Sequence, residues 1–223
     1  MKSRELKNHL YELVARIGKA TSSPKRLELL EMLSQGEKPV DLLAREASID
    51  IKLASAHLKA LRAANLVQTR REGKNIYYRL SGDDVAALWV TLRSVAEEHL
   101  VELQVALKGM FAAPERLTPE DRRTLWERAR AGDIIVLDVR PEDEYAAGHL
   151  PFAHSIPLPE LEKRLAELPA DKEIVAYCRG PFCLMSNDAT KLLLKRGFQA
   201  RKISDGVPEW QAAGLPLETE YDN

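Results

Sequence analysis

The chain has 223 residues, of which 45% are hydrophobic and 30% are charged. This length and composition exclude a disordered chain and a single minimal domain, and they fit two globular domains of about 100 residues each. The net charge of −1 hides an uneven distribution, because residues 1–113 carry 18 Lys and Arg against 14 Asp and Glu, and the rest carry 15 against 20. Seven basic and two acidic residues lie between Asp50 and Leu80, which favours a nucleic acid contact in that segment.

The sequence lacks the features of a secreted or membrane protein. No apolar run approaches the roughly 18 residues that cross a membrane, and the charged N-terminal segment has no apolar stretch typical of a signal peptide. The two cysteines, Cys178 and Cys183, are too few for the disulfide framework of a small secreted fold. We therefore expect a cytoplasmic protein without a membrane partner.

Helical periodicity dominates the start of the chain. Apolar residues recur at helical spacing in four segments, and Ser23 with Pro24 marks the start of the second segment, which ends at Gly36. The predicted helices cover residues 5–20, 24–36, 39–47 and 52–64. Strand-like runs at residues 66–70 and 76–80 follow, joined by turn residues, and they predict a hairpin.

The fourth predicted helix separates apolar from polar side chains. Its apolar stripe contains Ala54, Leu58 and Leu61, while basic and hydroxyl side chains face elsewhere. Two short helices followed by a basic one indicate a helix-turn-helix, whose second helix enters the major groove of DNA. The hairpin after it predicts a wing that contacts phosphates or the minor groove.

A long last helix of this half is predicted at residues 83–108, with an apolar face that suits dimerisation. The residues of this face are Val85, Leu88, Leu92, Val95, Ala96 and Leu103. His99 and Glu102, three positions apart, form a usable pair of metal ligands on this helix, but a solvated helix surface explains them better. We therefore predict no metal site.

Two segments of this half resemble a known family. The stretches SPKRLELLEMLSQGE and SAHLKALRAANLVQTRREGKNIYYRLS are similar to the winged helix of the ArsR/SmtB family of bacterial repressors. The resemblance, which we assign to residues 1–112, implies a homodimer, joined through its first and last helices, that binds palindromic operator DNA and leaves it when an inducer arrives. The DNA-contacting residues that it implies are Lys52, Ser55, His57, Lys59 and Arg62 on or near the reading helix, and Arg71 and Lys74 in the wing.

The composition changes at Pro114. Residues 113–120 predict a linker, and Thr118 with Pro119 marks the start of a helix. The run IIVLDV that follows is a continuous apolar strand of the kind found in doubly covered parallel sheets. Because strands and helices alternate after it, residues 121–223 predict an α/β domain with a parallel sheet.

Cys178 lies where a predicted strand, residues 173–177, ends and a loop leads into a predicted helix at residues 187–196. Loop amides and the positive end of the helix would lower the pKa of its thiol and hold an anion above it. Arg179 would add a cation beside the sulfur. A buried core cysteine is the commoner fate of a lone Cys, but a second thiol at Cys183 in the same loop indicates chemistry.

Three blocks of the second half resemble rhodaneses, a family of sulfurtransferases. They are LDVRPEDEYAAGHLPFAHSIPL, YCRGPFC and DGVPEWQAAGLPL, in family order. The resemblance implies that Cys178 takes sulfane sulfur from a small donor, such as thiosulfate or a persulfide, and itself becomes a persulfide. The implied site residues are Cys178, Arg179, Gly180 and Cys183 in the loop, supported by Asp138 and Arg140, which brace it. His149 matches a scaffold residue rather than a general base.

Cys183 is a departure from the rhodanese pattern. Many rhodaneses carry an Arg at this fifth position after the nucleophile, where it meets the anionic donor. Three roles for Cys183 stay open. It resolves a persulfide of Cys178 into a disulfide or polysulfide, or it is an apolar replacement for the Arg of other rhodaneses. In the third, Cys183 and Cys178 together bind arsenite. The first is favoured, since accessible low-pKa thiols beside a second thiol suit redox sensing. Leu184 stands where an arsenate reductase on this fold requires an Arg, which argues against that activity.

The two halves together suggest a sensor. The DNA-binding half has no cysteine and the other half has both, so sulfur chemistry would be the input and operator binding the output. We expect a dimeric transcriptional regulator, a repressor by resemblance, that senses reactive sulfur or thiol redox state and has no cofactor. An active sulfurtransferase with a DNA-binding domain and a metal-responsive repressor are the alternatives.

Overall fold

The computed structural model describes residues 3–110 and 121–220. The chain forms two compact units, Met1–Trp89 and Val90–Asn223. Within the described ranges, no helix combines the length and the apolar character that crossing a membrane requires.

The limits of the two predicted domains are not fixed by this division. The boundary between the two units falls inside a helix, so the domain ends predicted at residues 112 and 121 stay predictions. The predicted linker at residues 113–120, together with the helix start predicted at Thr118, lies outside the described residues.

The first unit is a winged helix-turn-helix. Its elements are α1 Ser3–Thr21, α2 Pro24–Leu33, β1 Lys38–Pro39, α3 Val40–Glu46, α4 Ile51–Ala63, β2 Val67–Glu72, β3 Asn75–Leu80 and the first part of α5 Asp83–His99. The strands form an antiparallel sheet in the order β1, β3, β2, in which β2 and β3 are the predicted hairpin. Leu29, Leu43, Leu58 and Leu61 are fully buried, so α2, α3 and α4 pack on one apolar cluster.

Local signals set the limits of α4 and of the wing. The carboxylate of Asp50 caps α4 by accepting a hydrogen bond from a first-turn backbone N–H at 2.9 Å. Ser23 occupies the same N-cap position before α2, which begins at Pro24 as predicted, and its side chain makes no capping hydrogen bond. In the wing, Glu72 pairs with Asn75, which shortens the predicted turn to two residues, of which Gly73 takes a φ of +59°.

The predicted long last helix is interrupted. α5 ends at His99 and a second helix, α6, follows at Val101–Met110, so the prediction of one continuous helix was wrong. The side chain of Gln104 donates hydrogen bonds to the carbonyl oxygens of Glu97 and Glu98 at 2.9 and 3.1 Å. It thereby satisfies backbone acceptors that have no partner within the last turn of α5. Apolar spacing continues across the break, and periodicity alone could not reveal it.

The second unit contains a parallel sheet with the strand order β5, β4, β6, β7. After the end of α5, its elements are α6 Val101–Met110, α7 Arg122–Ala131, β4 Ile134–Asp138, α8 Glu142–Ala147, β5 Ala153–Ser155, α9 Leu158–Arg164, β6 Glu173–Tyr177, α10 Met185–Lys195, β7 Ala200–Lys202 and α11 Val207–Ala212. Alternate residues of β6 enter different apolar clusters: Val175 packs with α7 and α11, and Ala176 with α9 and α10. Helices therefore cover both faces of the sheet, as the apolar strands predicted.

Candidate functional site

Cys178 lies at the carboxyl edge of the parallel sheet. It follows β6 directly, as predicted, and a loop from Cys178 to Leu184 leads into α10. This helix begins at Met185, two residues earlier than predicted, which brings Ser186 in its first turn to the sulfur. Only 2% of Cys178 is exposed. The thiol therefore meets the positive end of an 11-residue helix in a buried site.

The pKa of Cys178 reflects two opposing effects. Burial alone raises the pKa of this thiol, but hydrogen bonds lower it to about 7 overall. The donors to the thiolate are the side chains of Cys183 and Ser186 and the backbone N–H groups of Ser186 and Gly180. The Sγ of Cys178 lies 3.2 Å from Oγ of Ser186 and 3.6 Å from the carbonyl oxygen of Cys183. At a pKa of about 7, about half of the thiol is ionised near neutral pH, and the thiolate is the form in which a cysteine can act as a nucleophile.

The second thiol of the loop stays protonated. Cys183 is half-buried, and both the hydrogen bond that its thiol donates to Cys178 and its desolvation raise its pKa. When one thiol of the pair loses its proton, the negative charge therefore resides on Cys178. The structure thus brings Cys178, Gly180 and Cys183 together around a single sulfur anion.

Arg179, the predicted cation beside the sulfur, has another partner. Its guanidinium binds the buried carboxylate of Glu144 on α8, with Nε 3.0 Å from Oε2 and Nη2 2.5 Å from Oε1. This bidentate ion pair compensates the positive charge of Arg179, and its role as a cation beside the sulfur stays a prediction. Arg179 therefore fixes the start of the loop to α8.

A buried ion pair supports the end of β6. Asp138 and Arg140 are fully buried, and Nη2 of Arg140 lies 2.6 Å from Oδ2 of Asp138. The same carboxylate accepts a hydrogen bond from the hydroxyl of Tyr177, and Arg140 also donates to the carbonyl oxygen of Gly148 at 2.8 Å. Burial and the neighbouring Asp138 raise the pKa of Tyr177 well above its usual value. Because Tyr177 precedes Cys178, this network fixes the strand that carries the nucleophile.

His149 belongs to the scaffold of the second unit. Its Nδ1 lies 2.8 Å from the carbonyl oxygen of Tyr145, and its ring stacks on the Tyr145 ring with 3.7 Å between the centroids. Its Nε2 lies 3.7 Å from the carboxylate of Glu218. These contacts tie α8 to the C-terminal segment of the described chain.

Sequence reasoning missed a buried lysine close to the loop. The Nζ of Lys202 donates to Oδ1 of Asn187 at 3.2 Å, and burial lowers the pKa of Lys202 although the charge of Cys178 opposes this. Asn187 follows Ser186 in the first turn of α10, so Lys202 brings a positive charge towards the sulfur. The alternation of β7, which buries Ala200 and Lys202 and exposes the residue between them, was the signal that could have revealed it.

Glu209 on α11 was also missed, although it is 3% exposed and lies beside the loop. Its Oε2 accepts a hydrogen bond from the backbone N–H of Gly206 at 2.6 Å, and its Oε1 accepts one from Nη1 of Arg93 at 2.8 Å. A Cβ on Gly206 would come within 2.6 Å of the carbonyl oxygen of Cys178. Only glycine fits at position 206, because any Cβ there would collide with the backbone. This close approach brings the carboxylate of Glu209 near the backbone of Cys178.

The predicted DNA-reading residues lie on α4 of the first unit. Lys52, Lys59 and Arg62 are exposed, while Ser55 and His57 are half-buried. Because Lys52, Ser55 and Lys59 are three and four positions apart, they share one face of the helix. The face opposite the apolar stripe is therefore basic and polar, as a reading helix requires.

The wing adds two further predicted contacts. Arg71 and Lys74 are exposed near its two-residue turn, where Nε of Arg71 donates to the carbonyl oxygen of Gly73 at 3.2 Å. Arg70, by contrast, pairs with Glu37 at 2.6 Å, so its charge is compensated. Arg71 and Lys74 extend the basic surface of this unit beyond α4.

The described ranges contain no group of three His, Cys, Asp or Glu side chains that could hold a metal ion. His99 ends α5 and Glu102 lies in α6, so the helix break separates the pair of ligands that the sequence offered. The side chain of His99 is 68% exposed, and its Nε2 lies 4.0 Å from Glu98.

Two family models match the chain, one in each half. The model of rhodanese-like domains matches residues 121–213, which include α7 to α11 and the cysteine loop. The model of bacterial regulatory proteins of the arsR family matches residues 23–69, which run from the start of α2 into β2. Both resemblances predicted from the sequence are therefore confirmed.

Individual proteins match in the same way. The HTH-type transcriptional regulator Rv0324 of Mycobacterium tuberculosis is 44% identical over 209 residues, which are 94% of this chain and 92% of that protein. A sulfurtransferase of Allochromatium vinosum is 30% identical over 99 residues, which are 44% of this chain and 91% of that protein. Among solved structures, the homodimeric winged helix-turn-helix DNA-binding domain of a Mycobacterium bovis protein is 42% identical, with a TM-score of 0.42, and covers 46% of this chain and 93% of that chain. Because the first of these proteins matches over nearly its whole length, the chain belongs to the ArsR family of bacterial transcriptional regulators and carries a C-terminal rhodanese-like domain.

Proposed function

We propose that this regulator is a homodimeric repressor whose affinity for operator DNA is set by the reaction of Cys178 with reactive sulfur. The observation that carries the proposal is the pKa of about 7 of a buried thiol whose anion accepts hydrogen bonds from the first turn of α10. Both cysteines lie in the second unit, and the first unit, which holds the predicted DNA contacts, has none. Sulfur chemistry is therefore the input and operator binding the output.

The first chemical step is sulfur transfer to Cys178. Its thiolate attacks the sulfane sulfur of thiosulfate or of a small persulfide, and a new S–S bond forms. The S–S bond of the donor breaks, and sulfite or a thiolate leaves with the bonding electron pair. The resulting persulfide anion remains among the donors that stabilise the thiolate, namely Ser186 and the backbone amides.

Cys183 then resolves the persulfide. Its sulfur attacks Sγ of Cys178, the persulfide S–S bond breaks, and the terminal sulfur leaves as hydrosulfide with the bonding electrons and the thiol proton of Cys183. The two protein thiols lose two electrons, which reduce the sulfane sulfur to sulfide, so no further oxidant is needed. The hydrogen bond between the two thiols supports this step, because the reacting sulfurs are already neighbours.

Exposed apolar faces on α1 and on α5 with α6 support the homodimer. The residues of these faces, between 37% and 70% exposed, are Leu6, Leu10, Leu13 and Val14 on α1, and Leu88, Leu92, Val95, Val101 and Val105 on α5 and α6. A monomer would leave both faces in water, whereas a second copy would cover them. A dimer also presents two reading helices to a palindromic operator. We therefore propose that the protein acts in the cytoplasm, where operator DNA lies.

The experiment that tests the proposal measures operator affinity at fixed salt, on a sequence selected from random DNA, before and after treatment with thiosulfate. Mass spectrometry follows both cysteines in the same samples. We expect treatment to weaken binding about tenfold in the wild-type chain and not at all in Cys178→Ser. Cys183→Ser should accumulate the persulfide at Cys178 without forming a disulfide. A Cys178→Ser protein whose operator affinity still responded would contradict the proposal.

An active sulfurtransferase is the second candidate function, favoured by the same ionised thiol and by the similarity to the sulfurtransferase of Allochromatium vinosum. Turnover separates the two candidates. An enzyme releases many equivalents of sulfur to an acceptor such as cyanide for each Cys178, whereas a sensor is loaded once. Stoichiometric loading without sustained release would therefore favour the sensor.

A further inference from the structure

Arg93 is a buried cation beside the cysteine loop. It lies in the part of α5 that belongs to the second unit, and only 4% of its side chain is exposed. Its Nη1 donates to Oε1 of Glu209 at 2.8 Å, and its Nε donates to Oε1 of Glu97, one turn later on α5, at 3.0 Å. Glu209 is equally buried, so its carboxylate depends on this guanidinium for charge compensation, while the guanidinium also pairs with Glu97.

Glu209 links the guanidinium to the backbone of the nucleophile. Its second oxygen, Oε2, accepts the hydrogen bond from the backbone N–H of Gly206. A Cβ on Gly206 would lie 2.6 Å from the carbonyl oxygen of Cys178 and 2.7 Å from that of Arg179. The Glu209 carboxylate therefore binds the backbone at Gly206, the position where the chain passes too close to the first peptide of the loop to leave room for a Cβ.

Arg93 also contacts the middle of the loop. Its guanidinium carbon lies 5.8 Å from the centroid of the Phe182 ring, within the range of a cation–π contact. A Cβ built on Gly180 would lie 3.5 Å from Nη1 of Arg93 and 3.1 Å from Oε2 of Glu209. Both Gly180 and Phe182 lie between the two cysteines, so a rearrangement of the loop moves direct neighbours of the buried ion pair.

We propose that Arg93 is the positioning residue through which α5 detects whether the loop is reduced or has reacted. The inference rests on the proposed function, in which Cys178 takes up sulfur and then forms a disulfide with Cys183. The disulfide shortens the distance between the two sulfurs and thereby moves the loop residues between the cysteines, including Gly180 and Phe182. This movement changes the surroundings of the Arg93 guanidinium. A buried ion pair tolerates little displacement, because separating its charges outside water is costly.

α5 can transmit this change because it is one continuous helix. It begins at Asp83 in the first unit, where Val85 belongs to the same apolar cluster as Leu58 and Leu61 of α4. Arg93 lies about 12 Å further along the same helix, at 1.5 Å per residue. A shift of the helix at Arg93 therefore reaches the apolar cluster that supports the predicted reading helix.

The test compares Arg93→Gln with Arg123→Gln, a control that removes an 82% exposed guanidinium from α7. For both variants and the wild-type chain, mass spectrometry follows Cys178 and Cys183, and operator affinity is measured before and after thiosulfate treatment on DNA selected from random sequence. We expect Arg93→Gln to load sulfur like the wild type while its affinity change falls below about twofold. Arg123→Gln should keep the full change of about tenfold.

Two further variants keep the test decisive if Arg93→Gln does not fold, which circular dichroism and thermal unfolding would reveal. Arg93→Lys keeps a cation for Glu209 and should retain part of the response, whereas Glu209→Gln should behave like Arg93→Gln. A full response in Arg93→Gln or Glu209→Gln with normal sulfur loading overturns the inference and leaves the proposed function intact. A wild-type chain that loads sulfur without any change in affinity overturns both.

Discussion

Burial and hydrogen bonding act in opposite directions on the thiol of Cys178. Burial disfavours the thiolate, as it does any charge taken out of water, while four hydrogen bonds favour it and bring the pKa to about 7. A cysteine at the end of an ordinary core strand lacks those donors and stays inert. The reactivity of Cys178 therefore depends on the loop and on the first turn of α10 remaining in place.

Ser186→Ala removes one of these donors. Because the Ser186 hydroxyl bonds the charged form of Cys178, its loss should raise the pKa of Cys178 by about one unit. The rate of alkylation of Cys178 by iodoacetamide, measured against pH, should show a midpoint moved from about 7 to about 8. Ser204→Ala, at an exposed serine of the same unit, should leave the midpoint unchanged. No shift in Ser186→Ala would mean that the backbone amides and Cys183 suffice to set the pKa.

The sequence identified Cys178 because its position between a strand and a helix is visible in the local pattern. It did not identify the pair of Arg93 and Glu209, since these residues are 116 positions apart and no spacing rule connects them. It suggested Arg179 as a cation for the thiolate, but the compensating Glu144 lies 35 positions away. Long-range partners of charged residues are the part of the site that the sequence does not show.

At the level of single elements, the strength of the local signal decided what could be predicted. β6 has the predicted limits, Glu173–Tyr177, because its mostly apolar run has the length of a strand and is soon followed by Gly180 and Pro181, which interrupt regular structure. The break between α5 and α6 carries no such signal, because its acceptors are satisfied by the side chain of Gln104. A polar residue in a helical pattern reveals neither its hydrogen-bond partner nor a break.

The ion pair between Asp138 and Arg140 is the main polar support of the strand that ends at Tyr177. Arg140→Met would leave a buried carboxylate without its cation, and we expect it to lower the free energy of unfolding by about 3–5 kcal/mol. Urea denaturation measures this loss. Arg164→Met, which breaks only ion pairs open to solvent, should leave the free energy of unfolding nearly unchanged. Equal losses in the two variants would contradict a supporting role for the buried pair.

For the whole molecule, the fold of each unit followed from its sequence pattern, while the proposed coupling between the cysteine loop and DNA binding did not. The winged helix is encoded by helical stripes and a turn, and the α/β layer by apolar strands alternating with helices. The proposed coupling depends on α5, which belongs to both units and carries a buried arginine in a helix that also has several exposed apolar residues. From the sequence alone, a buried arginine such as Arg93 cannot be told apart from an arginine that lies on the solvent-exposed side of the helix.

The proposed homodimer is tested by Leu92→Glu, which puts a charge on an apolar face where Leu92 is 39% exposed. We expect analytical ultracentrifugation to give the mass of a monomer and operator affinity to fall at least about tenfold, because the two half-sites are no longer bound together. Phe152→Glu changes a 44% exposed residue of the second unit and should leave both properties unchanged. A Leu92→Glu protein that remains dimeric would place the dimer contact elsewhere.

The burial of Cys178 also determines which reagents reach it. With 2% of the residue exposed, its reaction rate depends on the cross-section of the reagent as well as on its pKa. We expect a small inorganic sulfur anion to reach this buried sulfur with less displacement of the loop than a tripeptide disulfide such as oxidised glutathione requires. Steric access would thus let the regulator distinguish sulfur chemistry from general oxidative stress, with no need for a separate recognition site.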